Sequence, residues 1–353
     1  MNLKKNLNCR SENYTSLRKN ILQWYDKNGR STLPWKTNDI YKIWISEIML
    51  QQTQVKTVIP YYKSFIKKYP NINSLSNASF DNIMKLWSGL GFYKRAENIY
   101  KSCIKINNDF NGVFPKKYDD ILSLPGVGRT TASAIVTFSG HERRSILDGN
   151  VKRFLSRLYG IENNTANLNL LWEISEGLLS SIRASDFIQA YMDIGSLICK
   201  KSKPMCEGCP VVGDCKSYPY KNLQSNTPKL SSKRNTNKKN IWALAILNQD
   251  GEFYLEKISY NNLWNGLYSV PIFHRKSDLF QWVDSFNLSK SLESKVWKFS
   301  HDLSHIKFTF NVVTCNIKSH KKISLSDDNW YNLSNIDFGI PKYQNKIFNK
   351  FKE

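Results

Sequence analysis

No window of the chain approaches the ~18 consecutive apolar residues of a membrane span, so it offers no transmembrane helix. The N-terminal MNLKKNLNCR carries charge with no apolar stretch behind it, and the expectation is a soluble cytoplasmic protein, nucleoid-associated if its partner is DNA. Internal repeats are lacking. Acidic residues are scarce: 29 Asp and Glu against 51 Lys and Arg leave a formal charge of +22, which would repel itself at low salt without a polyanionic partner. The Lys- and Asn-heavy vocabulary of an AT-rich genome would raise the charge too, so charge alone decides little. Cysteine is sparse outside one place. Cys9, Cys103 and Cys315 are scattered while the other four crowd into one segment, which disfavours a disulfide framework and favours a metal site.

At 353 residues and 41% hydrophobic content, the chain fits two domains. From Leu17 to Lys200 the apolar residues recur at helical spacing, as in Leu17, Ile21, Trp24 and in Val151, Phe154, Leu155, Leu158. Ser217 to Asn240 is rich in Lys, Asn, Ser and Pro without periodicity, the composition of a linker. Beyond it the period becomes two. IWALAIL and EFYLEKI flank a hairpin signal at Asn248 to Gly251, and Ile306, Phe308, Phe310 and Val312 alternate with polar residues. The expected domains are a mainly helical one over 1–216, a linker over 217–240, and a smaller α+β one over 241–353.

Cys199, Cys206, Cys209 and Cys215 stand as C-x6-C-x2-C-x5-C, four thiols in one loop able to wrap a compact metal centre. Zinc ribbons usually join two Cys pairs from separated knuckles, whereas these four follow in one pass; spacing alone places a [4Fe-4S] cluster only modestly ahead of zinc. The flanking Lys200, Lys201, Lys203 and Lys216 could meet phosphates or simply form a solvated face. The segment ILSLPGVGRTTASAI, from Ile121, reads as helix, turn, helix, with Ala134, Ile135 and Phe138 facing inward. Gly126 and Gly128 around Val127 let bare N–H groups approach an anion ahead of a helix N-terminus, as in a helix-hairpin-helix grip on a DNA backbone. A plain turn that needs glycine for steric reasons is the other reading.

Two carboxylates have unlike surroundings. Glu47, in WISEIMLQQTQV, has Trp44, Ile45, Ile48, Met49 and Leu50 around it, and desolvation there would keep its carboxyl protonated near neutral pH. Asp148, in ILDGNVKR, precedes a helix beginning near Asn150 whose N–H groups and dipole would hold it ionised. An acid beside an anion suits glycosidic cleavage, with a proton for the leaving group and negative charge under an oxocarbenium-like sugar. Singly, Asp148 is also an ordinary helix cap and Glu47 a helix residue facing solvent.

Together, WISEIMLQQTQV, LWSGLGFYKRAENI, LPGVGRTTASAI, ILDGNVKRFLSRLY, MDIGSLICKKSKP and the cysteine loop closely resemble MutY adenine DNA glycosylases, in order and spacing, over about residues 14–216. LWNGLYSVPIF and LSHIKFTF extend the likeness into a C-terminal domain that is Nudix-like in that family. The resemblance implies a helix-hairpin-helix glycosylase domain with an iron-sulfur loop, then a Nudix-like domain that recognises 8-oxoguanine. It also implies base-excision removal of adenine from A:8-oxoguanine or A:G mispairs in duplex DNA, by a monomer carrying a [4Fe-4S] cluster on the four cysteines. Glu47 would protonate the flipped adenine, Asp148 would stabilise or transiently bond the C1′ cation, and Asn150 would hydrogen-bond within the pocket. Gln51 and Gln52 would fill the gap in the duplex. Phe92 stands where the family usually has an intercalating Tyr, keeping the π-face and losing the hydroxyl. Gly126, Val127, Gly128, Thr130 and Lys152 would meet the DNA. Ser304 and His305 match the family's Phe-Ser-His reading loop, with Leu303 replacing the Phe; a literal Phe-Ser-His also occurs at Phe299 to His301, but the IKFTF that follows His305 keeps the family register. The Arg-Glu and Glu-Glu carboxylates of a nucleotide-hydrolysing Nudix signature are lacking.

Two rival readings are an endonuclease III-like lyase and a DNA-binding protein that has lost its chemistry. The presence of both Glu47 and Asp148 argues against the second. Against the first stands Thr130, at the hairpin position where endonuclease III proteins carry a Schiff-base lysine; a hydroxyl cannot form that adduct. Borohydride trapping is expected to show no robust strand scission beyond what Lys152 supports. Scission that survives Lys152→Ala would overturn the monofunctional assignment.

Overall fold

The computed structural model describes residues 11–219, 237–259, 263–303, 306–317 and 325–351. By contacts the chain divides into two compact units, one of Met1–Ser76 and Lys101–Ser232, the other of Asn77–Tyr100 and Lys233–Glu353. None of the described helices is long and apolar enough to cross a membrane.

The first unit is helical. Its helices are α1 (Ser11–Asn28), α2 (Ile40–Leu50), α3 (Val55–Lys68) and α4 (Ile72–Ser76), then, after α5 (Phe80–Trp87) and the start of α6 (Lys94–Phe110), α7 (Tyr118–Leu122), α8 (Arg129–Phe138), α9 (Gly149–Tyr159), α10 (Leu168–Leu178) and α11 (Ala184–Asp193). The helical stripes read from sequence meet in one core: Leu17 and Ile21 of α1 pack with Phe154 and Leu155 of α9 and with Phe187 and Tyr191 of α11. Asp39 starts α2 by accepting the N–H groups of Tyr41 and Lys42. Ile43, Trp44, Ile45, Ile48 and Met49 are all buried, so α2 is enclosed on most sides and Glu47 is an ionisable exception within it.

The second unit is built on a sheet. Its main path runs β6 (Leu292–Asp302), β7 (Ile306–Asn316), β1 (Asn237–Leu247), β2 (Phe253–Tyr254), β8 (Trp330–Tyr331), and β5 (Ile272–Phe273) also pairs with β1. β1 and β2 form the expected hairpin, paired at Leu247 and Phe253. β1 and β7 run parallel from Asn237 opposite Ile306 to Leu247 opposite Asn316. The alternation read for β7 holds through Phe308, but Phe310 to Cys315 are all buried, because the strand lies between two others and is covered on both faces. β3 (Glu256–Lys257) and β4 (Tyr268–Ser269) make a separate ribbon, and a helix over Lys276–Ser285 packs on β1 and β5. A helix over Lys342–Lys350 brings Tyr343 to stack on Phe310 at 4.4 Å, which in turn stacks on Phe299 at 5.0 Å.

One buried ion pair fixes the chain around the first unit's central helices. Asp193, with no exposed side-chain surface, accepts the Arg30 backbone N–H at 2.7 Å, Arg30 Nε at 2.8 Å and Nη2 at 2.6 Å, and Gln189 Nε2 at 2.8 Å. It thereby ties the turn after α1 to the end of α11, where the backbone widens into a π-helical turn over Ile194–Ile198. Arg30→Ala would leave a buried carboxylate without its counter-charge and is expected to cost about 3 kcal/mol. Urea unfolding of the variant measures that loss.

Candidate active site

Glu47 reaches from α2 into two adjoining cavities of about 480 Å³ and 660 Å³ that share Arg30, Leu33, Trp35 and Gln189 as walls. Asp148 and Asn150 line the larger one, together with Gln52, Thr53 and Lys56. The smaller runs toward Tyr25, Lys36 and Asp186, where Lys36 Nζ donates to Tyr25 Oη at 3.0 Å and to Asp186 Oδ1 at 3.3 Å. Burial, reinforced by the negative charge of Asp148, pushes the Glu47 carboxyl up to about 8.

Asp148 is held differently. It caps α9: Oδ1 accepts the N–H groups of Asn150 at 3.0 Å and Val151 at 2.7 Å, while Oδ2 accepts Asn150 Nδ2 at 3.0 Å. Asn150 Oδ1 in turn accepts Arg153 Nη2 at 3.0 Å, and Arg153 Nε donates to the Cys199 carbonyl at 2.8 Å. The π-helical turn presses on the same point: a Cβ on Gly195 would stand 2.8 Å from Asn150 Cβ, so only glycine allows the approach. One cavity therefore holds a carboxyl that keeps its proton near neutral pH and a second fixed by three donors.

The hairpin forms between α7 and α8. Gly126 takes φ +78, and Gly128 precedes α8 with no side chain capping its first N–H groups, which leaves them open to an anion. Ala134 and Ile135 are buried as expected, whereas Phe138 is half-buried and lines the smaller cavity. Thr130 lies half-exposed on the first turn of α8, and Lys152 half-buried on the first turn of α9, two residues after Asn150. Gln52 takes φ +58 and faces the larger cavity; Gln51 donates to the Gly126 carbonyl at 3.1 Å and ties the end of α2 to the hairpin. Phe92 belongs to the second unit, where its ring is 41% exposed. Ser304 and His305 lie outside the described residues. Of the other Phe-Ser-His, Phe299 stacks in the sheet's aromatic cluster, Ser300 is exposed and His301 is half-buried beside Trp264 and Tyr343.

Cys199, Cys206, Cys209 and Cys215 line one largely apolar pocket with Phe154, Leu158 and Ile198. All four are free thiols. Burial pushes the Cys209 thiol up to about 12, and the other three cysteines add to it electrostatically. No group of three or more His, Cys, Asp or Glu among the described residues is gathered as a single ion would require. Arg157, buried beneath the loop, donates to Cys199 Sγ at 3.4 Å and to the Lys200 carbonyl at 2.7 Å. Four soft donors lining one pocket are a set that suits a polynuclear iron-sulfur centre or zinc.

Arg30, Trp35, Gln189, Arg153 and Arg157 were not singled out from the sequence. Arg153 and Arg157 could have been, since each lies within three or four residues of the one before it on the helix that Asp148 and Asn150 begin. Arg30 carries no local sign, because the Asp193 that organises it is 163 residues away, whereas Gln189 lies only four residues before that Asp193 on α11.

Fold, hairpin and cavity together define a helix-hairpin-helix DNA glycosylase of base excision repair. Residues 45–175 match the HhH-GPD superfamily base excision DNA repair protein family, and residues 242–350 a NUDIX domain. An adenine DNA glycosylase of Buchnera aphidicola subsp. Baizongia pistaciae (strain Bp) is 43% identical over 340 residues, covering 94% of this chain and 96% of its own length. One from Mus musculus is 37% identical over 217 residues, 58% of this chain and 42% of its own. The chain belongs to the adenine DNA glycosylase family and is an enzyme. Among solved structures, a thermostable thymine-DNA glycosylase is similar at TM-score 0.55 and 30% identity over 59% of this chain and 97% of its own. Endonuclease III in a non-covalent DNA complex shares the fold at TM-score 0.50 and 21% identity, over 58% of this chain and 95% of its own.

The raised Glu47 value sets a pH dependence. Below about 8 the carboxyl carries its proton, and an acid role is lost as pH rises through that value. Between the ordinary 4.5 and about 8 the native state binds a proton the unfolded chain does not, so stability falls as pH rises across that window. Glu47→Gln, neutral throughout, is expected to abolish base release and to flatten this part of the stability profile. Single-turnover rates and urea unfolding on either side of the upper value check both.

Proposed function

We propose that this chain hydrolyses the N-glycosidic bond of adenine mispaired with 8-oxoguanine, or with guanine, in duplex DNA, acting as a monomer and leaving the strand uncut. The observation that carries the reading is the single cavity in which a protonated Glu47 faces a helix-capped Asp148. In this reading residues 1–216 form the catalytic part, 217–240 the linker and 241–353 the part that reads 8-oxoguanine through Ser304 and His305.

The adenine is extruded from the duplex, a step that costs least for a mispaired base. Gly126, Val127, Gly128, Thr130 and Lys152 hold the backbone, Gln51 and Gln52 fill the gap, and Phe92 stacks in the duplex. Trp35 and Leu33 offer apolar walls to the base, and Arg30 and Gln189, locked by Asp193, offer donors to its edge. Glu47 passes its proton to a ring nitrogen, which makes adenine a neutral leaving group. Asp148, pinned by the α9 N–H groups and Asn150, stabilises the cation that develops at C1′ until water captures it. Its anchoring keeps that charge in place without reorganisation. Thr130 supplies no amine, so the reaction ends at the abasic site.

Cys199, Cys206, Cys209 and Cys215 would hold a [4Fe-4S] cluster. When bound, the cluster supplies a four-point covalent tie across the loop and a one-electron redox centre. Arg153 passes the loop's position to Asn150 through the Cys199 carbonyl.

Single-turnover adenine release is expected from a duplex holding adenine opposite 8-oxoguanine and not from one holding adenine opposite thymine. No release from either, with cluster and DNA bound, would favour a protein that binds without catalysis.

A further inference from the structure

The second unit contains a piece of the helical half of the sequence. α5 lies in a seat made by residues at least 176 positions later, and the fit is close. A Cβ on Gly339 would fall 2.8 Å from the Met84 carbonyl oxygen, and one on Gly266 2.6 Å from the Phe80 ring. Ser88 Oγ donates to the Ile340 carbonyl at 2.7 Å, Lys85 pairs with Asp337, and Lys257 pairs with Asp81. Ile83, Met84 and Trp87 are buried.

The loop leaving α5 presents Phe92. Gly89, Gly91 and Phe92 all have positive φ, at 88, 78 and 48, and for a phenylalanine that conformation persists only when its surroundings enforce it. Trp87 Nε1 donates to the Gly91 carbonyl at 3.1 Å, and Arg95 Nη2 to the same oxygen at 3.0 Å. The Arg95 guanidinium stands 5.3 Å from the centres of both the Trp87 and Phe92 rings. Trp87 and Ser88 thus join the seat to the loop: the end of α5 is anchored by Ile340, and the conformation of Phe92 is anchored by the end of α5.

We infer that Gly339, Ile340 and Asp337 are positioning residues for Phe92, and that through them the C-terminal half of the chain sets how this ring enters DNA. The inference rests on the proposed DNA role of Phe92 and of the C-terminal domain. It makes the wedge and the lesion-reading domain parts of one body, so that engagement of the base opposite adenine and insertion of the ring occur together. Mismatch preference then depends on a contact that touches no DNA.

The test uses the full-length chain. Gly339→Val drives a side chain into the α5 backbone. It is expected to raise amide hydrogen exchange in α5 by about tenfold or more and to lower the preference for A:8-oxoguanine over A:G to that of Phe92→Ala. Combining the two substitutions should lower it no further. Ser88→Ala, which removes one hydrogen bond, carries the same comparison in milder form should Gly339→Val fold poorly. Unchanged α5 exchange, or effects of Gly339→Val and Phe92→Ala that multiply, would overturn the inference. Loss of α5 protection with no change of preference in either single variant would instead remove the DNA role of Phe92, and the coupling with it, while the seat itself stood.

Discussion

Much of the catalytic unit turns on one cap. Asp148 completes the N-terminus of α9, and three further constraints at the site are referred to that point. Asn150 is held by the carboxylate it helps to hold, Gly195 lets the π-helical turn press against it, and Arg153 spans from it to the cysteine loop. An N-cap ordinarily contributes about 1 kcal/mol to a helix. Here the same hydrogen bonds aim a negative charge at a cavity, and the stabilisation of the helix and the placement of the charge cannot be separated.

Glu47 is the opposing case. It sits on a helix otherwise enclosed by apolar packing, and its burial destabilises the fold wherever the carboxyl would ionise. Among the described residues its carboxyl has no hydrogen-bond donor to offset that burden, whereas three donors satisfy Asp148. The two carboxyls thus divide stability and reactivity between them, one improving the fold and one weakening it, within a single cavity.

What was legible in the sequence was local. The LPGVG turn and the ILDGNVKR cap each lie within a few residues and the cysteine run within 17, and the chemistry of each follows from spacing and neighbours. The alternation of β7 revealed a strand but not its depth, because burial on both faces depends on β1 and β6. Gln51 also bonds the hairpin, a contact its neighbours in sequence could not reveal. Arg30 with Asp193, and α5 with Asp337 and Ile340, join residues far apart, and neither end carries a periodicity or motif that points to the other.

That last pairing bears on how the protein is made. α5 leaves the ribosome 252 residues ahead of the carbonyl that anchors its end. Until then the seat of Ile83, Met84 and Trp87 is incomplete. β1 likewise waits for β7, its parallel partner, which no tight turn can deliver. The second unit is therefore completed late, and a chain cut short before Asp337 would leave that helix without the part of its seat that Asp337, Gly339 and Ile340 make.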